Sequence, residues 1–160
     1  MGKKSTKKGS SYEVNKRASH DYTFLEKFEV GVQLTGTEVK SIKTGGKVNF
    51  SDSHVKLVNG ELYLINLYIA PYSQGTSKAH EETRTRKLLM HKKEIIKLSH
   101  KLQDKGLTII PVKIYPKAHL IKLEIALSKG KKSFEKREDL KKKTVIRDLN
   151  RDFKRSQIKV

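Results

Sequence analysis

Asn15, Lys16, Arg17, His20 and Tyr22 place an amide, an ammonium, a guanidinium, an imidazole and a phenol within eight residues. That set can contact phosphates, stack on bases and hydrogen-bond base edges. A structural alternative stands beside it, with Tyr22 as core and Asn15 as a helix cap. A second cluster, Arg84, Arg86 and Lys87, falls where a long helix is predicted to begin. Cations there oppose the helix dipole, so an external anion or pairing with Glu81 and Glu82 must account for them. The third concentration is Ser128–Val160, with thirteen Lys and Arg against five Asp and Glu, no proline, and Gly130 as its one glycine. Val145, Leu149 and Phe153 recur every four residues, on one face of a predicted helix. So narrow a stripe buries too little to hold a helix alone in water. The expectation is a tail that is loose when free and folds on a polyanion. The alternative is a solvated basic tail without fixed structure.

Other chemistry is missing. The six histidines, His20, His54, His80, His91, His100 and His119, show no metal-ligand spacing, and His91-Lys92-Lys93-Glu94 is not His-Glu-x-x-His. Gly45-Gly46-Lys47 lacks both the upstream glycine (Ser41 is there) and the following Ser or Thr (Val48 is there) of a phosphate loop. There is no cysteine, which removes disulfides, thiolate catalysis and Cys-based zinc sites. No catalytic residues, metal or cofactor are predicted, and the chain is not read as an enzyme.

The elements that must position these groups are legible in part. Tyr22–Leu34 alternates with period two and is predicted to be a half-buried strand, with a bulge or sharp bend at Gly31. Gly36–Lys43 reads as one or two helical turns capped by Thr37 and ended by Gly45-Gly46. Asn59-Gly60 between His54–Val58 and Glu61–Ile65 predicts a hairpin with a type I′ turn, its second arm apolar on both faces. A polar loop, Pro71–Thr85, precedes a predicted long helix from Arg86 to Lys105. Leu88, Ile95 and Leu102 line its inner face, Lys92, Lys93, Lys97 and Lys101 the outer one, and Gly106 follows its end. Leu107–Tyr115 and His119–Ser128 form a second hairpin across Pro116-Lys117-Ala118, with Pro111 at an edge or bulge. The predicted class is mainly β with helices. About six antiparallel strands form an OB-like barrel, with one long helix, one or two short ones and a basic tail.

Length predicts one folded unit, divided as a flexible basic arm over residues 1–11, a barrel over 12–128 and the tail over 129–160. The net charge is +19, concentrated in the two ends while the body is only modestly basic. That distribution is the footprint of a nucleic-acid binder. A membrane surface is the competitor, but the tail's thin apolar face suits it poorly. The lysine-bearing N-terminus has no apolar core of a secretory signal, and no run is long enough to span a membrane. A cytoplasmic protein is expected.

Taken together, Asn15-Lys16-Arg17-Ala18 with His20 and Tyr22, Gly36–Ser41, Ser51-Asp52-Ser53, Thr83–Leu89 and Gly130-Lys131-Lys132 resemble the SsrA-binding protein (small protein B) family. The likeness runs in order from about Asn15 to Arg137. It implies an OB-like barrel, acting as a monomer, that binds the tRNA-like domain of transfer-messenger RNA and delivers it to stalled ribosomes. It further implies a tail that becomes helical in the messenger channel near the small-subunit decoding centre, and an indirect link to elongation factor Tu through the aminoacylated RNA. Carried over by position, the RNA-facing residues are Asn15, Lys16, Arg17, His20, Tyr22 and Glu29, with Lys40 and Arg86. The ribosome-binding motif falls on Gly130, Lys131, Lys132, Phe134, Glu135, Lys136 and Arg137. Two positions depart from the family motif. Phe134 stands where His or Tyr is usual and can only stack, and Glu135 replaces Asp, which lengthens the reach. A general ribosomal RNA binder and an RNA-processing enzyme remain as alternatives.

Overall fold

The computed structural model describes residues 11–72, 74 and 80–157, with residues 155–157 as backbone. The arm expected over residues 1–11 lies outside the described residues except for Ser11, as does part of the polar loop.

The strands are β1 (Glu13–Val14), β2 (Tyr22–Val32), β3 (Val48–Asn49), β4 (His54–Val58), β5 (Glu61–Ile65), β6 (Tyr68–Ile69), β7 (Arg86–Leu89), β8 (Leu107–Lys117) and β9 (Leu120–Gly130). The helices are α1 (Lys16–Asp21), α2 (Gly36–Lys43), α3 (Lys92–Lys101) and α4 (Ser133–Gln157). Six strands pair antiparallel in the ring β8-β4-β5-β7-β2-β9, and β9 pairs again with β8. The sheet therefore closes on itself as the expected barrel, and closure removes the open edges of a flat sheet. β1 extends the sheet beside the far half of β8, and β3 with β6 forms a separate ribbon. Val30, Leu62, Leu64, Leu88, Ile109, Ile114, Leu123 and Ile125 fill the interior from all the ring strands but β4, which contributes Val55.

Local chemistry explains most of the framework. Asn59 (φ 49°) and Gly60 (φ 76°) make the left-handed turn that a two-residue hairpin needs. The β8–β9 hairpin is tighter than expected. Pairing continues to Lys117 opposite Leu120, so Ala118 (φ 53°) and His119 form the turn and Pro116 remains in the strand. Thr35, rather than Thr37, caps α2. Its hydroxyl accepts from the Glu38 amide while Glu38 Oε2 accepts from the Thr35 amide at 2.8 Å, a reciprocal capping box.

Two expectations are corrected. The bulge of β2 lies at Leu25, between Phe24 and Glu26, and not at Gly31. Gly31 stays in register with both Lys122 and Leu89, and its missing side chain answers a close approach, since a Cβ there would stand 3.2 Å from Leu89 Cβ. The helix expected from Arg86 to Lys105 is shorter. Arg86–Leu89 is strand β7, paired with β5 and β2, and α3 begins only at Lys92. Leu88 shares the seven-residue spacing of Ile95 and Leu102 but sits in the barrel wall opposite Leu62 and Val32. Here tertiary pairing outweighs the local helical pattern. Gly106 (φ 86°) serves the turn into β8, four residues after the Leu102 cap.

Candidate nucleic-acid interface

Asn15 is the pin of the first candidate cluster. Its Oδ1 accepts from the Ala18 amide at 3.0 Å and caps α1. Its Nδ2 donates to the Pro111 carbonyl at 2.8 Å, and its backbone N–H donates to the Val112 carbonyl at 2.7 Å. Those two carbonyls are free because β8 bulges between Pro111 and Lys113, the irregularity expected at Pro111. The amide of Asn15 is thus spent on holding α1 against β8, and Ala18 is buried beneath the helix. The same docking turns Lys16 and Arg17 outward, the Arg17 side chain being 74% exposed. His20 and Tyr22 are half-buried at the α1–β2 junction. A recess of about 320 Å³ opens beside them, lined by Arg17, Tyr22, Ser51, Asp52 and His54 among others. The fold so brings the Ser51-Asp52-Ser53 turn to the helix that carries Lys16 and Arg17.

Glu29 lies farther along β2 on an outer face of the barrel. Tyr115 donates its hydroxyl to Glu29 Oε2 at 2.5 Å, and Lys117 donates to Oε1 at 2.7 Å. The Lys117 and Tyr115 hydrogen bonds, in that order, hold the Glu29 carboxyl below its ordinary range. Burial, then the Glu29 carboxylate, pushes the Tyr115 phenol up, so it remains a donor. Lys113 sits 5.2 Å from the Tyr115 ring centroid, and Lys27 and Lys113 both pair with Glu124. The result is a lysine-rich face set by two carboxylates. Of these groups only Glu29 was singled out from the sequence. Lys113, Tyr115 and Lys117 alternate along β8, and that period-two pattern of basic and aromatic residues was the available signal.

Lys40 is exposed on α2, apart in sequence and element from both groups. Arg86 is placed otherwise than expected. It has no exposed surface and belongs to a strand, so neither a helix dipole nor an external anion explains it. Its Nε donates to Glu38 Oε1 at 2.9 Å, and its other nitrogens donate to the carbonyls of Leu67, Arg84 and Glu82. Arg84 forks onto the same carboxylate at 2.9 and 2.7 Å. Pairing with the side chains of Glu81 and Glu82, the other expectation, gives way to Glu38, which sequence reading did not single out. Burial pushes the Glu38 carboxyl up, but Arg84, the Thr35 amide and Arg86 together outweigh it and leave it below its ordinary value. Two of the sequence motifs, Gly36–Ser41 and Thr83–Leu89, thus meet in one buried ionic knot.

The tail is one helix, α4. Glu135 Oε2 accepts from the Lys132 amide at 2.9 Å, so the longer acid at this position caps the helix start. Lys132 and Arg137 face solvent, and the Phe134 ring is exposed. Val145 and Leu149 are also exposed along the predicted stripe.

A model of the SmpB protein family matches residues 12–155. The chain belongs to the SmpB family. It is 51% identical over 141 residues to the SsrA-binding protein of Sulfurihydrogenibium sp. (strain YO3AOP1), covering 88% of this chain and 92% of that one. It is 46% identical over 149 residues to the SsrA-binding protein of Bacillus subtilis (strain 168), covering 93% and 95%. A solved structure described as "tmRNA-SmpB: a journey to the center of the bacterial ribosome" is similar at 48% identity, with a TM-score of 0.63 over 76% of this chain and 85% of that one. The SmpB match takes in every ring strand and most of α4. Among the described residues of this SmpB-family chain, no helix is long and apolar enough to cross a membrane, and no cluster of His, Asp and Glu could hold a metal.

Proposed function

We propose that this chain is an RNA-binding adaptor. It binds the tRNA-like domain of transfer-messenger RNA and carries that RNA to stalled ribosomes, where non-stop complexes are rescued and the nascent peptide is tagged. Membership of the SmpB family over residues 12–155 carries the reading, supported by the likeness to a tmRNA-SmpB structure. The work is divided between the barrel, residues 12–128, and the tail, residues 129–160. On the barrel, Lys16, Arg17, His20 and Tyr22 grip the structured RNA, Asn15 orients them, and Glu29 sets the lysine-rich face. Lys40 adds a phosphate contact. Arg86 acts from the interior by holding β7 in place. On the tail, Lys131, Lys132, Lys136 and Arg137 meet ribosomal RNA in the messenger channel near the decoding centre, with Phe134 stacking. Elongation factor Tu is reached only through the aminoacylated RNA. The protein works in the cytoplasm as a monomer, by binding and not by catalysis, and takes no cofactor.

The exposed stripe of α4 supports order on docking. Val145 and Leu149 bury little in the free chain, so the distal turns loosen in water and tighten when RNA surrounds them. The grip of α1 is tested by salt titration of binding to the tRNA-like RNA. Lys16→Ala and Arg17→Ala together weaken binding and lower the log–log salt slope by about 0.7–0.9 for each phosphate that is no longer neutralised. An unchanged slope contradicts the assignment of α1 to the RNA.

A further inference from the structure

Glu29 and Glu124 stand directly opposite each other on β2 and β9. Like charges in such a pair repel, so each carboxylate needs cations of its own. Glu124 takes Lys27 and Lys113, at 3.1 and 3.2 Å. Glu29 reaches across β9 to β8, a span of two strand spacings or about 10 Å. There the Tyr115 hydroxyl donates to its Oε2 and the Lys117 ammonium to its Oε1. Lys122, opposite both Gly31 and Tyr115, completes the charged groups around it. The two holds on Glu29 differ in kind. The Lys117 side chain is 60% exposed, and an ion pair so open to water fixes a geometry weakly. Tyr115 is half-buried, turns about only two side-chain bonds, and has its ring braced by Lys113. The Glu29 side chain is itself 37% exposed. A carboxylate oxygen can accept more than one hydrogen bond, so each oxygen keeps a lone pair for a donor from outside.

We propose that Tyr115 is a positioning residue, whose hydroxyl aims the Glu29 carboxylate as an acceptor for a base N–H of the bound RNA. A phosphate oxygen has no proton to give and is repelled by a carboxylate. An acid on a lysine-rich face therefore answers a donor on a base or a ribose. Every RNA carries 2′-hydroxyls, so only a base donor gives this contact power to tell one RNA from another. Lys27, Lys113, Lys117 and Lys122 supply the attraction to phosphates, which is independent of sequence and screened by salt. Glu29 adds selectivity without adding to that attraction, and Tyr115 acts through Glu29 without touching the RNA. The RNA half of this inference rests on the adaptor reading given above, and the link from Tyr115 to Glu29 stands without it.

Tyr115→Phe removes the hydroxyl and keeps the ring beside Lys113. In the free full chain, carbon-13 NMR of the side-chain carboxyls follows Glu29 through acid, its signal assigned by loss in Glu29→Gln. The Lys117 bond and then the Tyr115 bond hold this carboxyl below its ordinary range. The midpoint therefore moves up in Tyr115→Phe, and up again in Lys117→Met as a second probe. A midpoint unmoved by Tyr115→Phe overturns the positioning role. Binding is then titrated at neutral pH against the tRNA-like RNA and an elongator tRNA. Tyr115→Phe weakens the tRNA-like complex about fivefold to tenfold, the scale of one hydrogen bond to a charged group. It leaves the elongator complex within about twofold and the log–log salt slope unchanged, because no phosphate contact is lost. In a Glu29→Gln background the same change adds less than about twofold, as expected of a residue acting through Glu29. Lys117→Met, by contrast, lowers the salt slope with both RNAs. Equal loss with both RNAs, a lowered slope in Tyr115→Phe, or full additivity with Glu29→Gln overturns the aimed acceptor. The NMR titration contains no RNA. Failure of the adaptor reading, seen as equal binding of the parent chain to both RNAs, leaves its outcome untouched.

Discussion

Ending the chain at Lys129 leaves binding to the free tRNA-like RNA within about tenfold at physiological salt and abolishes tagging on stalled ribosomes. The barrel ring is complete without the tail, since its closing pairs run between β8, β9 and β2. The truncation costs the ladder one pair, Tyr22 with Gly130, and removes no buried core residue. It does remove a segment rich in Lys and Arg, and so part of the non-specific attraction, which is why a modest loss in RNA affinity is expected. Tagging is different. On the proposed reading it requires the cations of Lys131, Lys132, Lys136 and Arg137 to arrive on a helix at the messenger channel, a role the barrel is not proposed to fill. A gel-shift titration and a tagging reaction on non-stop ribosomes, run on the same preparation, separate the two. Parallel loss of both refutes the division of labour between barrel and tail.

Glu38→Ala lowers folding stability by about 3–5 kcal/mol, read as a fall of roughly 10 °C or more in Tm. Three things fail at once. The α2 capping box loses its acid, Arg84 loses both its fork partners, and Arg86 keeps its charge in the interior with carbonyl oxygens alone. Glu38→Gln preserves shape but not charge, and it separates the electrostatic part through pH. The Glu38 carboxyl titrates below its unfolded value of 4.5. Its contribution is therefore complete above that value and is lost as pH falls through the lower, folded one. Urea midpoints of the parent and of Glu38→Gln thus differ widely at pH 7 and converge on acidification below about 4.5. Curves that run parallel down to pH 3 contradict a charged Glu38 at the centre of the knot.

Contacts near in sequence were legible, and contacts across the chain were not. Asn59-Gly60 announced its hairpin because only a few residue types tolerate two consecutive positive φ angles. The alternation of Ile121, Leu123 and Ile125 announced β9 because one of its faces lines the core. Strand β7 was hidden. Four residues are too few to show a period, and the spacing of Leu88 to Ile95 imitates a helix. The capping role of Glu38 was written locally as Thr35-x-x-Glu38, but its partners lie 46 and 48 residues away. The same distance problem hid the tether of Asn15 to Pro111, 96 residues on, and the bond from Lys131 to Ser19, 112 residues back. At the candidate site the types of residue were legible, Lys16, Arg17 and His20 among them. The acid that contacts Arg17 and His20 was not, because Asp21 looks like an ordinary surface residue in the sequence.

The central claim is selectivity for one RNA shape, and competition binding measures it most directly. The tRNA-like domain of transfer-messenger RNA is titrated against an elongator tRNA of similar size, at physiological salt, with the full chain. The adaptor reading predicts a preference of about a thousandfold or more for the tRNA-like domain, the lower end of the range that separates specific from charge-driven binding. Equal binding to both RNAs, falling together with salt, would mean that the charge of +19 accounts for the interaction. The chain would then be a general RNA binder.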